Sequence, residues 1–393
     1  MMAASSLLFQ PDLDRHLDVE EVKRAQDLQR YRDEWADLLS RADSPLLFQT
    51  YEWSVSWLDS FWKDRPIAFL FVRDGQRLEA LAPLLEDKQG QFCCPGSVVL
   101  PADGDFAIRG DFLCTGDRGE VLDAVVRYLR ATRRRVRLVL KHMRTDSALL
   151  AALPPAAARN RVETLQRRSW TSPIVSFEGG WQSYAGSRSG HLRSELRRKN
   201  RRIEAAGSVT CVTASSPAEA ERVVDEILVI ERHSFKQPLG SSLAFRPVQE
   251  RFFRDLAPRC AERGWLRAYF LHLDSKPVAY VYGFVFGNEY HAFATSFDDS
   301  YRDVSPGAIL FDRVLRTCSE EGLQVFDFLG GEARWKAEIA SGQRQHDDAC
   351  VFSRDQLRCQ LCKDYRTRIR PFVKDRLPWA VTAKRRLARL VSR

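Results

Sequence analysis

No stretch of this sequence reaches the roughly 18 consecutive apolar residues that a membrane-spanning helix requires. The opening residues, MMAASSLLFQPDLD, have neither a basic start nor a long apolar run, so no export signal is expected. The chain reads as cytoplasmic and soluble, or at most peripheral to a membrane. Metal-binding patterns are equally scarce. There is no His-x-x-x-His, and Cys359-x-x-Cys362 is an unpaired Cys-x-x-Cys among nine cysteines, so no metal is expected. An odd cysteine count without an export signal points to reduced thiols. Missing too are the Gly-x-Ser-x-Gly elbow of serine hydrolases and the Gly-x-x-x-x-Gly-Lys-Ser/Thr loop of nucleotide triphosphatases.

What is present is enough apolar material for more than one core: 393 residues, 44% hydrophobic and 11% aromatic. The net charge of +9 is spread unevenly. Arginines crowd into the run from Arg133 to Arg137, the run from Arg193 to Arg202, and the closing segment RTRIRPFVKDRLPWAVTAKRRLARLVSR. Such clusters imply an anionic partner nearby, and the basic tail suits peripheral contact with a membrane. The segment HLRSELRRKNRRIEAAG puts Leu192, Leu196 and Ile203 on one helical stripe and Arg193, Arg197 and Arg201 on another. It lacks interleaved aromatics for stacking on bases, which argues against sequence-specific nucleic-acid binding.

Periodicity reveals a duplication. An apolar strand, a tight turn and a second alternating strand occur in PIAFLFVRDGQRLEALAPLLE from Pro66. They recur in LRAYFLHLDSKPVAYVYGFVF from Leu266, with Asp74 aligned on Asp274 and Leu78 on Val278. Two helix-like segments precede each hairpin, starting near Ser, Thr or Pro, and a helix leading into a strand follows it. The expected fold is therefore α/β with mixed sheets, built from two similar units in tandem. The expected divisions are an N-terminal helical extension (1–44), a first unit (45–180), a second, cofactor-binding unit (181–355) and a basic helical tail (356–393). The Gly- and Ser-rich stretch TSPIVSFEGGWQSYAGSRSG forms the crossover between units.

The halves differ after the strand EYHAFATSFDDS. There the second half reads Tyr301-Arg302-Asp303-Val304-Ser305-Pro306-Gly307-Ala308 before a helix. Small residues at a helix start leave backbone N–H groups bare for an anion such as a diphosphate. The matching LCTGDRGEVLDAVV of the first half has glycine but no comparable turn.

Arg302-x-x-Ser305-x-Gly307 resembles the Arg/Gln-x-x-Gly-x-Gly/Ala pyrophosphate loop of the GNAT superfamily of acyl-CoA-dependent N-acyltransferases, with serine replacing the first glycine. LRRKNRRIEAAG, Ile230 to Lys236, the Ser305-Pro306-Gly307 turn and DFLGGEARWK (Asp327 to Lys336) further resemble one branch of tandem-GNAT proteins. That branch includes the CelD-like acetyltransferases of cellulose and exopolysaccharide biosynthesis and, more distantly, the FemABX aminoacyltransferases. The resemblance covers residues 45 to 345, densely in the second half.

It implies direct transfer of an acyl group, acetyl in the simplest case, from acyl-CoA to an amine of a small molecule, amino acid or glycan precursor. Such a reaction needs the thioester held, its carbonyl polarised and a proton removed. Ser296, Phe297, Arg302, Ser305, Gly307 and Ala308 are the expected cofactor-binding residues. A splayed backbone N–H within Ala294 to Phe297 is the expected carbonyl-polarising group.

Glu231, on a mainly apolar helix, and Asp111, where related tandem proteins carry an acidic residue facing the cleft, are the candidate bases. The alternatives are an ion pair with arginine for Glu231 and a turn cap for Asp111. Lys336, beside Trp335 after Gly330-Gly331, matches an aromatic–lysine pair of FemABX-like proteins and is expected to neutralise negative charge. The alternative is a solvated helix lysine. His233, Lys236, His291 and Trp335 complete the expected substrate-binding set, although His291 also reads as a packed core residue and His233 as a helix-end residue. An aminoacyl-tRNA donor, with the arginine runs following its backbone, is the enzymatic alternative. A non-catalytic adaptor docking an envelope-synthesis complex through its basic tail is the non-enzymatic one.

Overall fold

The computed structural model describes residues 16–87, 90–95, 109–133, 136–331 and 333–353. The basic tail, Cys359 and Cys362 lie outside the described residues, as do Arg134 and Arg135 of the first arginine run.

The first half runs β1 (Asp18–Val22), α1 (Arg32–Arg41), α2 (Tyr51–Phe61), β2 (Ala68–Asp74), β3 (Arg77–Glu86), β4 (Phe92–Cys93), β5 (Leu113–Cys114), α3 (Arg118–Thr132), β6 (Arg137–Arg144), α4 (Ala148–Arg159) and β7 (Val162–Ser176). The second runs α5 (Gly180–Ser187), α6 (Gly190–Ala206), β8 (Val209–Ala214), α7 (Pro217–Glu231), α8 (Pro247–Glu262), β9 (Leu266–Leu273), β10 (Lys276–Phe286), β11 (Glu289–Phe297), α9 (Pro306–Glu320), β12 (Val325–Asp327), α10 (Arg334–Ile339) and β13 (Gly342–Ser353). The pattern of two helices, hairpin, strand, helix and strand is thus present twice. The turns are the two-residue loops Gly75–Gln76 and Asp274–Ser275, so the repeat is displaced by one residue there. Asp274 and Ser275 both take positive φ, the geometry that suits a strand-twisting hairpin turn.

Local signals place the helices. Thr50 caps α2 by accepting from the Trp53 N–H, and Ser216 with Glu219 forms a capping box on α7, ahead of Pro217. Two features depart from expectation. Part of the segment expected to be helical, Asp18–Val22, is a strand paired antiparallel with β2, covering an edge that would otherwise present unpaired backbone groups. Helix α4, capped by Ser147, was not anticipated; it buries Leu149, Leu150 and Leu153 despite Pro154 and Pro155 in its interior.

The sheet joins the two halves by exchange. Its order is β1-β2-β3-β4-β6-β13-β7-β12-β11-β10-β9-β8, with β5 beside β3. Strand β13, last in sequence, inserts between β6 and β7 of the first half, and β7 pairs in turn with β12 of the second. The crossover stretch is therefore strand from Thr171 to Ser176. One apolar cluster is shared by both halves: Trp35, Trp53 and Trp57 from α1 and α2 meet Phe252, Phe253, Tyr280 and Tyr282 from α8 and β10. Trp53 packs edge-on against Phe252 at 5.3 Å between ring centroids. A second cluster lies under α3 and α4, and a third under α9.

Candidate functional site

Strands β11 and β12 pair in parallel only from Glu289↔Val325 to His291↔Asp327, after which the two part. Strand β11 continues to Phe297, whereas the chain beyond Asp327 turns through Leu329, at φ +50°, toward Gly330. Just past the fork β11 is bulged: Tyr282 faces Ala294 while Gly283 faces Ala292, leaving Phe293 as the extra residue. A side chain at Gly283 would collide with the His291 carbonyl, so the close crossing at the bulge needs glycine. A bulge turns backbone N–H groups out of the ladder, and this one begins one residue ahead of the stretch expected to polarise a carbonyl.

The mouth of β11 leads into the loop read as a diphosphate site. Ser305 takes φ +55°, the left-handed conformation that glycine adopts freely, and no side chain caps α9. In the first half the matching helix start is occupied: the Asp117 carboxylate accepts from the N–H groups of Gly119 and Glu120. One helix thus carries its own anion and the other leaves its N–H groups open. Of the remaining expected loop residues, Arg302 is exposed and paired with Asp299 at 2.6 Å, and Phe297 lies against both Gly307 and Phe235. Ser296 is buried, with no partner for its hydroxyl among the described residues.

Glu231 ends α7, and His233 and Lys236 follow it in the loop, which touches the same region through a Ser234↔Asp298 bridge. Glu231 is fully buried. It accepts from Lys236 Nζ (2.8 Å), the Tyr280 hydroxyl (2.5 Å) and the Leu243 N–H (3.1 Å), so its ion-pair partner is lysine rather than arginine. His233 is exposed, and its carbonyl accepts from Asp299 N–H.

The floor of the fork is built by both halves. The carboxylate of Asp327, with no exposed surface, accepts from Arg109, from Arg344 (2.6 Å), from the Ser172 hydroxyl (2.7 Å) and from Leu329 N–H (2.8 Å). Arg344 also binds Glu289 through both terminal nitrogens at 2.7 and 2.8 Å. Burial disfavours the charge on Asp327, but Arg109 and Arg344 more than offset it and hold the carboxyl well below its usual range. Glu289 is lowered in the same way: burial opposes and Arg344 prevails.

His291 and His346 sit against this chain of charges. Burial, then Arg109, lowers them to about 4 and about 3, so both are neutral at pH 7. His291 Nδ1, both ring nitrogens of His346, Arg109 Nη1 and Trp170 Nε1 are buried with no hydrogen-bond partner among the described residues. The remaining wall comes from α10. There Lys336 Nζ lies 5.7 Å from the rings of both Phe328 and Trp335, so close to Gly330 that a Cβ there would come within 2.8 Å. Burial lowers the Lys336 pKa and the nearby Asp327 charge partly restores it. Trp335 itself packs on Phe311 at 4.9 Å.

Glu289, His291 and Asp327 bring potential metal-ligand atoms within 4.8 Å of one another. Both carboxylates are already spent on guanidinium groups, with which a cation would have to compete. Asp111 lies elsewhere, in a cavity of about 130 Å³ within the first half, lined also by Gln49, Arg118, Arg144 and Ser147. Burial raises it to about 6 against the Ser147 hydrogen bond of 2.7 Å.

The structure thus gathers His291, Lys336 and Trp335 at the fork and places Glu231, His233 and Lys236 beside the loop that opens α9. It leaves Asp111 with partners from the first half only. Sequence reading missed Arg109, Glu289, Arg344 and His346 and gave Asp327 no role. Glu289 lies on β11, Arg344 and His346 lie on β13 and Arg109 on a loop, and nothing local in the sequence brings these segments together.

Comparison with known proteins agrees with this geometry. Residues 190–337 match the family model described as Acetyltransferase (GNAT) domain. Among solved structures, the fold is shared with FemX, at 10% identity and a TM-score of 0.55, over 84% of this chain and 96% of that one. It is shared as well with a conserved protein of unknown function from Bacteroides thetaiotaomicron (14%, TM-score 0.54, 86% and 100%) and with L-PGS from Bacillus licheniformis (14%, TM-score 0.51, 86% and 95%). No curated protein matches the sequence. The chain has a mixed α/β GNAT fold and carries a GNAT acyltransferase-type domain in its second half.

Proposed function

We propose that this protein transfers an acyl group, acetyl in the simplest case, from a CoA thioester held at the N-terminus of α9 directly to an amine in the cleft between the halves. The observation that carries this reading is the contrast between α3, plugged by its own Asp117, and α9, whose first N–H groups are left bare behind a left-handed Ser305. The diphosphate binds those groups, together with the helix dipole and Arg302. The thioester arm then follows β11 into the fork, where a backbone N–H at the bulge around Phe293 polarises the carbonyl. Glu231 takes the amine's proton through the Tyr280 hydroxyl, which already donates to it. The acceptor is an amine of a small molecule or of an envelope-polymer precursor, as the CelD-like and FemABX resemblance implies.

The test is ligand-induced thermal stabilisation by a panel of acyl-CoAs, with Ser305→Asp as the variant. Aspartate tolerates the left-handed backbone and places a carboxylate beside the bare N–H groups, as Asp117 does in the first half. The expected result is a wild type stabilised by about 2.7 kcal/mol at a hundredfold excess over Kd. The variant should keep the unliganded melting temperature and lose the shift. A wild type indifferent to every CoA ester, or a variant that still responds, would sink the proposal.

One observation favours a second reading. Arg193, Arg197 and Arg201 form an exposed row on α6, with no partner among the described residues, and Arg202 of the same helix donates to the Asp303 carbonyl in the diphosphate loop. An aminoacyl-tRNA donor would lay its backbone along that row. Copurified RNA and steeply salt-dependent binding would then replace the CoA response.

A further inference from the structure

Among the described residues, the fork floor carries more positive charge than its own carboxylates neutralise. Arg109, Arg344 and Lys336 face two acids, Glu289 and Asp327. Both histidines are neutral, so one positive charge is left over in a buried place. The hydrogen-bond inventory points the same way. Asp327 is saturated by four donors and Glu289 is held at both oxygens by Arg344. Arg109, only 4% exposed, uses Nη2 on Asp327 and leaves Nη1 without a partner. Lys336 makes no hydrogen bond or ion pair among the described residues; only aromatic rings flank its ammonium. An unpaired guanidinium N–H in a buried position is costly, and that cost is relieved when a ligand oxygen reaches it. The surplus cations and the orphaned donor come from different halves of the chain and meet where β11 and β12 part.

From this we infer that the fork is a receptor for a single carboxylate on the acceptor, bound by Arg109 from the first half and completed by Lys336 from the second. The accepted amines are therefore amino acids or peptides with a free carboxylate rather than neutral amino sugars. The ion chain Glu289–Arg344–Asp327 fixes Arg109 in place, so that Nη1 presents a preset N–H. His291 and Phe48 form its sides: the Phe48 ring lies 6.1 Å from the His291 ring and 6.0 Å from the Arg109 guanidinium carbon. A neutral imidazole adds no charge there, so one anion balances the site and a dianion does not. Calling the carboxylate's bearer the acceptor rests on the acyl-transfer reading above; the receptor itself does not.

The experiment compares binding of L-alanine and alanyl-alanine with that of their C-terminal amides and of glucosamine, by calorimetry or ligand-observed NMR on the full chain. Binding of acetyl-CoA is measured in parallel. The free carboxylates are expected to bind at least tenfold more tightly than the amides and glucosamine. Arg109→Gln should abolish that preference and leave acetyl-CoA binding intact. Should Arg109→Gln fail to fold, for want of its bond to Asp327, Lys336→Met is expected to reduce the preference while keeping the fold. The acid-against-amide comparison on the native protein needs no variant at all. Equal binding of acids and amides, or no detectable binding of any acid, overturns the receptor whatever acetyl-CoA does. Loss of acetyl-CoA binding alone overturns the donor assignment instead.

Discussion

The Lys336 ammonium gains its importance from surroundings that the residue type does not suggest. Half-buried against Phe328 and Trp335, it has a lowered pKa and no hydrogen-bond or ion-pair partner among the described residues, and the nearby Asp327 charge is already held by Arg109 and Arg344. Replacing it with methionine retains the bulk and removes the charge. The expected result is a rise in the acceptor's KM of about tenfold or more, as for loss of one charge-assisted contact to its carboxylate, with acyl-CoA stabilisation unchanged. Steady-state kinetics alongside thermal shift would check this. Sequence marked Lys336 through the resemblance of Trp335-Lys336, after the Gly-Gly turn, to the aromatic–lysine pair of FemABX-like proteins. Glu231 was legible as a buried acid on an apolar helix, but its partners were not: Tyr280 is 49 residues away in sequence. Arg109 left no trace because a lone arginine before Gly110 looks like any other loop residue until Asp327, 218 residues later, is folded against it.

Among the elements, β13 decides how the halves are joined. Twelve residues from Gly342 to Ser353 pair with β7 on one side, and part of the same strand pairs with β6 on the other, so the second half ends inside the first. A chain cut after Ser341 would expose two buried strand edges and leave Arg344 and His346 behind. The expected outcome is loss of cooperative unfolding by circular dichroism, and an isolated 181–353 fragment should aggregate. Coexpression of 1–180 with 181–393 should restore a complex that binds acyl-CoA if the strand finds its place in trans. Two helices and a hairpin per half were readable from periodicity because amphipathic faces repeat every 3.6 or 2 residues. The exchange was not, since register between distant strands leaves no periodic mark on either. Helix α6 lay between these cases: its stripe of Leu196 and Ile203 is buried as the spacing implied, while only packing shows that Arg202 reaches the loop that opens α9.

For the molecule as a whole, burial of titratable groups sets an acid limit with a calculable slope. His291 and His346 titrate at about 4 and about 3 when folded, against 6.5 unfolded. Between pH 4.5 and 5.5 the unfolded chain therefore binds two protons that the folded one excludes, and their stabilisation, complete above the unfolded value, is lost as pH falls. Asp111 acts in the opposite sense. Its folded value of about 6 lies above the unfolded 3.8, so its contribution is complete below 3.8 and is lost as pH rises through 6. One proton net remains, so these groups should make stability rise by about 1.4 kcal/mol per pH unit in that window. His346→Gln should cancel most of that slope and Asp111→Asn should roughly double it, as read from denaturant unfolding at several pH values. The sequence by itself determined most of the helices, the duplicated hairpins and the short turn that opens α9, because each depends on residues within a turn or a few turns of one another. Only the tertiary structure decided that Arg109, His291, Asp327, Arg344 and His346 form one buried set. Charges and hydrogen bonds act through space, and nothing along the chain records which distant strands will lie side by side.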